Sequence, residues 1–242
     1  AGGIPILRTL VESYAGDYIT EVLGIVNGTT NFMLTQMQEA GKTYEEALLL
    51  AQEKGFAESD PSGDVEGMDA ARKMVIVTKL AFGHRVPLEA VQVTGITSII
   101  PADFEMAEKN GYTIKLIGKA KAVEEKIQVE VVPMLIPLNH PLATVKNEYN
   151  ALYVIGEAVG ETMFYGPGAG RKPTANSVVS DIVYIAKNIQ TNHTGHFRIY
   201  SSNIFKDVEK GTDAFDGVLR IEGNRTDAEK LIQSGLSGKV LA

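Results

Sequence analysis

The chain has no cysteine and no tryptophan among its 242 residues. Without a thiol it can form no disulfide, no cysteine nucleophile, no thiolate zinc site and no cysteine-held iron–sulfur cluster. A basic surplus is also lacking, since 23 Lys and Arg face 30 Asp and Glu for a formal net charge of −7. That balance excludes a nonspecific nucleic-acid binder, which holds phosphates with excess Lys and Arg. No run approaches the 18 or so uncharged apolar residues that a membrane span requires, and the first twenty residues lack a basic-then-apolar secretion signal. The expected location is therefore cytoplasmic, with no membrane and no nucleic-acid partner. Missing too are GxGxxG, the Walker loop, HExxH, GxSxG and EF-hand spacing. His84, His140, His193 and His196 show no metal-like grouping with carboxylates.

What is present is ordinary globular composition, 44% hydrophobic and 22% charged, too apolar for a disordered chain. The chain opens AGGIPIL, without an initiator Met, which reads like the middle of a longer protein. Ile19 to Val26 is an apolar, β-branched run that predicts a buried strand. NGTTN follows, with Asn27 and Gly28 suited to a sharp turn and Thr29 or Thr30 to capping a helix that Gly41 ends. Thr43 with Glu46 forms a capping box for a second helix. The loop FAESDPSGD leads into a third, from about Val65 to Phe82.

After Pro87 the pattern turns to strands: VQVTGI, a short helix at DFEMAEKNG, a hairpin of TIKLIGKAKAV with KIQVEVVPMLI, and a second of ALYVIGEAV with ETMFYG. GPGAGRKPTANS opens a helix from about Ala175 to Ile189. A polar linker, a strand at GVLRIEG and a helix capped by Thr226 or Asp227 complete the chain. Helices, then hairpins, then a helix imply an α+β fold: a mixed, largely antiparallel sheet covered by helices on one face, with a C-terminal extension.

Chemistry concentrates between Glu58 and Lys73. Glu58, Asp60 and Asp64 fall in the loop, and Glu66, Asp69 and Lys73 on the first turns of the helix. At about 100° per residue, Asp69 and Glu66 lie within about 40° of Lys73, and Ala70, Ile76, Val77 and Leu80 within about 60°. Arg72 and Lys79 form the solvent stripe, so Lys73 points elsewhere. An ammonium on an apolar face is costly to leave unpaired and suits proton transfer, with Asp69 one turn earlier to hold it. The simpler alternative is an i,i+4 ion pair worth roughly 0.2–0.5 kcal/mol. The loop acids could bind a substrate ammonium and hydroxyl, or form only a solvated loop. The turn before the first long helix could hold a carboxylate on free amides, or merely cap the helix. Gly166 to Gly170 (GPGAG) lets backbone approach a ligand closely.

Four segments in order, GGIPILRTL, EVLGIVNGTTNFML, AQEKGFAESDPSGDVEGMDAARKMVIVTKLAFG and GPGAGRKPTANSVVSDI, resemble the central and C-terminal parts of homoserine dehydrogenase, over roughly residues 1 to 190. The resemblance implies reversible, NAD- or NADP-dependent interconversion of L-homoserine and L-aspartate 4-semialdehyde, on the route to threonine and methionine. By position it makes Lys73 the proton donor and acceptor, supported by Asp69. Glu58 would hold the substrate ammonium and Asp64 its hydroxyl side. Gly28 and Thr29 would line the substrate pocket, and Gly168 and Gly170 would touch the nicotinamide. Gly2 and Ile4 fall in a loop whose carbonyls bind a monovalent cation, Na or K, in the family. A homodimer built on the sheet is implied as well.

Two features depart from the family pattern. The nucleotide-binding domain with its GxGxxG and a further active-site lysine is not in these residues, so the helix at about 175–189 would lack its packing partner. Residues 191–242 contain no Asp-Lys-Pro-Gly-like loop of a regulatory ACT domain, and are expected to form a C-terminal extension, a reduced ACT-like unit at most. A second reading is a non-catalytic amino-acid-binding or dimerising module. The retention of Glu58, Asp64, Asp69 and Lys73 together favours the enzyme.

Overall fold

In a computed structural model of the chain, residues 2–190 and 207–209 are described. The β-branched run after Tyr18 forms β1 (Ile19–Ile25), the middle of the sheet. On one side β1 pairs antiparallel with β3 (Tyr112–Val123), which forms a hairpin with β4 (Lys126–Pro137); the turn between them places Glu124 at φ 53. On the other side it pairs antiparallel with β5 (Tyr149–Gly156), which forms a hairpin with β6 (Gly160–Pro167). The far edge of β4 takes two short parallel strands, β2 (Gln92–Val93) beside Glu130 and Val131 and β7 (Asp207–Glu209) beside Lys126 to Gln128. The sheet is thus mixed and largely antiparallel, as the hairpin signals predicted. The VQVTGI run yields only the two residues of β2. β7 arises in the stretch expected to be extension, whereas the strand and helix expected later lie outside the described residues.

The helices are α1 (Ile6–Glu12), α2 (Gly28–Ala40), α3 (Tyr44–Glu53), the single turn α4 (Ser62–Val65), α5 (Met68–Phe82), α6 (Pro101–Lys109) and α7 (Arg171–Gln190). One face of the sheet, carrying Val22, Leu116, Ala120, Leu152 and Val154, packs with Met33, Met74, Val77 and Phe104 of the helices into the main core. The other face carries a smaller cluster, including Ile25, Ile117 and Tyr153, roofed in part by Leu142 of a 3₁₀ turn. This layering follows from the period-2 alternation of the strands meeting the apolar stripes of the helices.

Several boundaries differ from expectation for local reasons. α1 was not foreseen; its seven residues carry too few turns for a periodic signal. α2 is capped by Asn27, whose Oδ1 accepts the Thr30 amide at 2.9 Å, so Thr29 and Thr30 lie inside the first turn. The third helix is broken near its start by Gly67 at φ 87, a left-handed conformation that favours glycine. Glu66 therefore closes α4 rather than sharing α5 with Lys73. α7 begins at Arg171, and none of its residues is buried; Val178, Val179, Ile182, Val183, Ile185 and Ile189 are all exposed.

The β5–β6 turn is held by a carboxylate. Asp17 accepts the amides of Ala158 at 2.8 Å, Val159 at 3.1 Å and Tyr18 at 2.7 Å. These bonds, that of Ala158 foremost, hold its carboxyl below the usual range. Because the folded value lies below the unfolded one, the contribution to stability is complete above the ordinary carboxyl range and is lost as pH falls through the lowered value. Thermal melts of the native protein and Asp17→Asn are expected to differ most near neutral pH, to begin converging as pH falls below about 4 and to meet only below the lowered value. A constant difference across that range would show that the charge of Asp17 does not stabilise the turn.

Candidate active site

α5 is seated by contact between small residues and a flexible one. Gly24 and Gly118 face each other across β1 and β3, and a Cβ on Gly118 would overlap the side chain of Met74. With Met74 lodged over these glycines, α5 lies close on the sheet. Lys73, one residue earlier and turned by about 100°, then reaches the C-terminal end of β1. Its Nζ donates to Asp69 Oδ2 at 2.6 Å and to the Val26 carbonyl at 2.9 Å. Both side chains of this i,i+4 pair are about one third exposed, at 35% and 34%. Arg72 and Lys79 lie in solvent as the helical wheel predicts, but so does Ile76. The Lys73 side of α5 is thus open to a ligand rather than sealed in the core.

Asn27 joins this pair to the loop acids. Its Oδ1 caps α2, and its Nδ2 donates to Asp64 Oδ1 at 2.7 Å and to Asp69 Oδ2 at 2.9 Å. The result is a continuous chain of hydrogen bonds from Asp64 through Asn27 and Asp69 to Lys73 and the end of β1. One buried amide, 5% exposed, holds two carboxylates with their charges directed at the same place. Sequence reasoning read Asn27 only as a turn residue; the acids it links are far from it in the chain, so spacing carried no signal.

The remaining expected residues distribute as follows. Gly28 and Thr29 form the first turn of α2, where the helix itself cannot satisfy their amides. Thr29 Oγ1 donates to the Phe56 carbonyl at 2.6 Å, and Phe56 packs edge-on against Phe32 with ring centres 4.9 Å apart. These contacts anchor the loop carrying Glu58 to α2. The Glu58 carboxylate is exposed and is not drawn into the hydrogen-bonded cluster; its backbone carbonyl accepts from Gln52 at 3.1 Å. Asp60 is likewise exposed and turned to its own loop, accepting the Ser62 amide at 3.1 Å. Gly168 packs against the Asn150 side chain, and Gly170 adopts φ 118 at the start of α7.

The amino-terminal segment lies on the GPGAG turn, with the Gly3 amide donating to the Pro167 carbonyl at 3.1 Å. The Gly2 carbonyl accepts from the Ser177 hydroxyl and the Ile4 carbonyl from the Ile6 amide. Two carbonyls already engaged do not by themselves make the oxygen shell that a hard cation needs, and no acidic or histidine cluster for a metal ion occurs among the described residues.

A second lysine, Lys115, was also missed. It is 2% exposed on β3, with Nζ donating to the Val145 carbonyl at 2.7 Å and to Asn31 Oδ1 at 3.4 Å. Asn31 in turn donates to the Asn147 carbonyl at 2.8 Å. Burial, helped by the charge of Lys146 and opposed by Glu39, lowers Lys115 to about 8. Together these residues tie α2 to the loop that enters β5. Its neighbours from Thr113 to Ile117 are all buried, but in the sequence a lysine within an alternating strand reads as a solvent-facing position.

A lysine fixed at a sheet end, beside two carboxylates that share one amide donor, is an arrangement suited to proton transfer on a small molecule. A family model described as homoserine dehydrogenase matches residues 5–183. The chain belongs to the homoserine dehydrogenase family. It is 58% identical over 196 residues to homoserine dehydrogenase of Bacillus subtilis (strain 168), covering 81% of this chain and 45% of that one. It is 49% identical over 187 residues to that of Lactococcus lactis subsp. lactis (strain IL1403), covering 77% and 44%. Among solved structures, homoserine dehydrogenase from Thiobacillus denitrificans superposes with a TM-score of 0.77 at 40% identity, over 85% of this chain and 47% of that one. A hyperthermophilic archaeal homoserine dehydrogenase in complex with NADPH does so at 0.66 and 28%, over 81% and 55%. The chain spans about half the length of the curated relatives it matches.

Proposed function

We propose that this chain is the substrate-binding and dimerisation part of an NAD(P)-dependent homoserine dehydrogenase, which interconverts L-homoserine and L-aspartate 4-semialdehyde on the route to threonine and methionine. The observation that carries the reading is Lys73, held between Asp69 and the Val26 carbonyl at the open end of β1, in a chain of this family. In the reducing direction the Lys73 ammonium gives a proton to the aldehyde oxygen as it becomes a hydroxyl; in the oxidising direction the neutral amine takes it back. Asp69 keeps Nζ in place in both directions. The nicotinamide, when bound, supplies or receives the hydride. Gly168 and Gly170 would hold it from the backbone of the GPGAG turn.

Glu58, exposed at the mouth of the site, takes the substrate ammonium, and Asp64 the hydroxyl side. The Gly28 and Thr29 amides suit the substrate carboxylate at the start of α2. Gly2 and Ile4 are where a sodium or potassium ion would bind in the whole protein, but no step depends on it. Residues 1–190 form the catalytic part, with α7 packing on a nucleotide-binding domain through its exposed apolar side. A second copy docks on the less covered sheet face in a cytoplasmic homodimer.

The test is nicotinamide-linked turnover by the full-length protein. Glu58→Gln is expected to raise KM for homoserine by about tenfold with little change in kcat, the signature of lost ground-state binding. An unchanged KM would take the ammonium away from Glu58.

A further inference from the structure

Toward the C-terminal end of β1 its pairing with β3 closes with Gly24 beside Gly118, and Lys115 lies beyond that pair, beside the turn from β1 into α2. Among the described residues its Nζ meets two oxygens, the Val145 carbonyl and Asn31 Oδ1, and both are neutral. Burying an ammonium with no carboxylate in contact is costly, so its retention needs a reason. The surroundings of Asn31 supply one. Asn31 Nδ2 donates to the carbonyls of Val145 at 3.3 Å, Asn147 at 2.8 Å and Tyr149 at 3.2 Å, while Lys115 closes the oxygen side of the same amide. The Asn147 amide donates to Thr35 Oγ1 at 2.9 Å, and the Glu148 carbonyl lies so close to Gly28 that a Cβ there would stand 2.7 Å from it. The loop entering β5 therefore grips the first turns of α2.

We propose that Lys115 is a positioning residue for the reaction: through Asn31 it fixes the rotation of α2 that aims Asn27 at Asp64 and Asp69. The inference rests on the dehydrogenase reading above, in which Asp69 holds Lys73. The path is short and continuous. The Asn31 amide donates to the Asn27 carbonyl at 3.3 Å, so the gripped residue lies one turn from Asn27 on the same side of the helix. Asn27 Nδ2 in turn donates to Asp64 at 2.7 Å and to Asp69 at 2.9 Å. Such bonds weaken steeply with misalignment, and a small rotation of α2 loosens both carboxylates at once. An ammonium suits the task because a charge-assisted hydrogen bond is roughly twice as strong as a neutral one, which holds Asn31 more firmly than an uncharged donor in the same place.

The experiment is a double-mutant cycle on the full-length protein, read by homoserine turnover and by amide hydrogen exchange. Lys115→Met, similar in length and uncharged, is expected to lower kcat/KM by about tenfold in the native background and by less than about twofold beside Asn27→Asp, where the amide that Lys115 aims is already lost. Exchange of the Thr30 and Asn31 amides, both bonded to Asn27, is expected to speed by about tenfold. A lysine with a merely structural role would cost the same factor in both backgrounds, and equal factors would overturn the proposal. Unchanged exchange at those two amides would overturn it as well. Should Lys115→Met fail to fold by thermal melting, Asn31→Asp, the same in shape but without the amide donors, carries the same cycle. Failure of the dehydrogenase reading looks different: the unsubstituted protein would then turn over no homoserine, while the exchange comparison would still test the hold of Lys115 on Asn27.

Discussion

Lys73→Ala in the full-length protein is expected to lower homoserine turnover by on the order of 10² or more, the usual contribution of a positioned proton donor and acceptor. The geometry makes the test clean. Lys73 is one third exposed and its partners are one carboxylate and one backbone carbonyl, so truncation removes the ammonium without opening the core beneath Met74. As a simple surface i,i+4 pair it would contribute only roughly 0.2–0.5 kcal/mol to stability, which a melt would barely register. A large fall in kcat with a small change in melting temperature is therefore the combined outcome expected. Lys73→Arg sharpens it. A guanidinium can still pair with Asp69 but does not give up its proton in proteins, so arginine should restore the ion pair and not the rate. Near-normal kcat in either variant would remove Lys73 from the chemistry.

The second large effect is expected at Asn27. Asn27→Asp has the same shape and keeps the acceptor that caps α2, since Oδ1 would still face the Thr30 amide. What changes is the other half of the amide. The Nδ2 donor shared by Asp64 and Asp69 at 2.7 and 2.9 Å becomes a third carboxylate oxygen pressed against both. At such distances like charges near a protein surface repel by up to about 4 kcal/mol, relieved in part when one of the three takes up a proton or swings away. Either response disturbs the carboxylate that positions Lys73. kcat/KM is expected to fall by about 10² with α2 still formed, as circular dichroism would report. Asn27→Asp with native kcat/KM would show that the link between the two acids is incidental.

The sequence carried the signals that are local. The Thr43–Glu46 capping box forms as read, with both reciprocal bonds present. Gly41 ends α2 in a left-handed conformation, and both hairpins pair along their alternating runs. Lys73 and Asp69 could be matched because one turn of a single helix separates them. The break at Gly67 escaped notice because the apolar period runs on through it, while only the backbone shows the left-handed twist. Asn27 and Lys115 escaped for a different reason. Each acts on residues tens of positions away or on a separate strand, and an isolated Asn or Lys looks the same in a sequence whether it lies in solvent or in a buried network.

By itself, then, the sequence determined the class of fold, the family resemblance and the lysine–aspartate pair, because periodicity, caps and contiguous motifs act over a few residues. Only the tertiary structure decided that Asp64, Asn27, Asp69 and Lys73 form one hydrogen-bonded chain at the end of β1, that Glu58 stands outside it, and that Lys115 and Asn31 tie the loop entering β5 to α2. Those facts depend on how closely α5 settles on Gly24 and Gly118 and on which strands lie side by side in the sheet, and packing of that kind is fixed by contacts between distant parts of the chain.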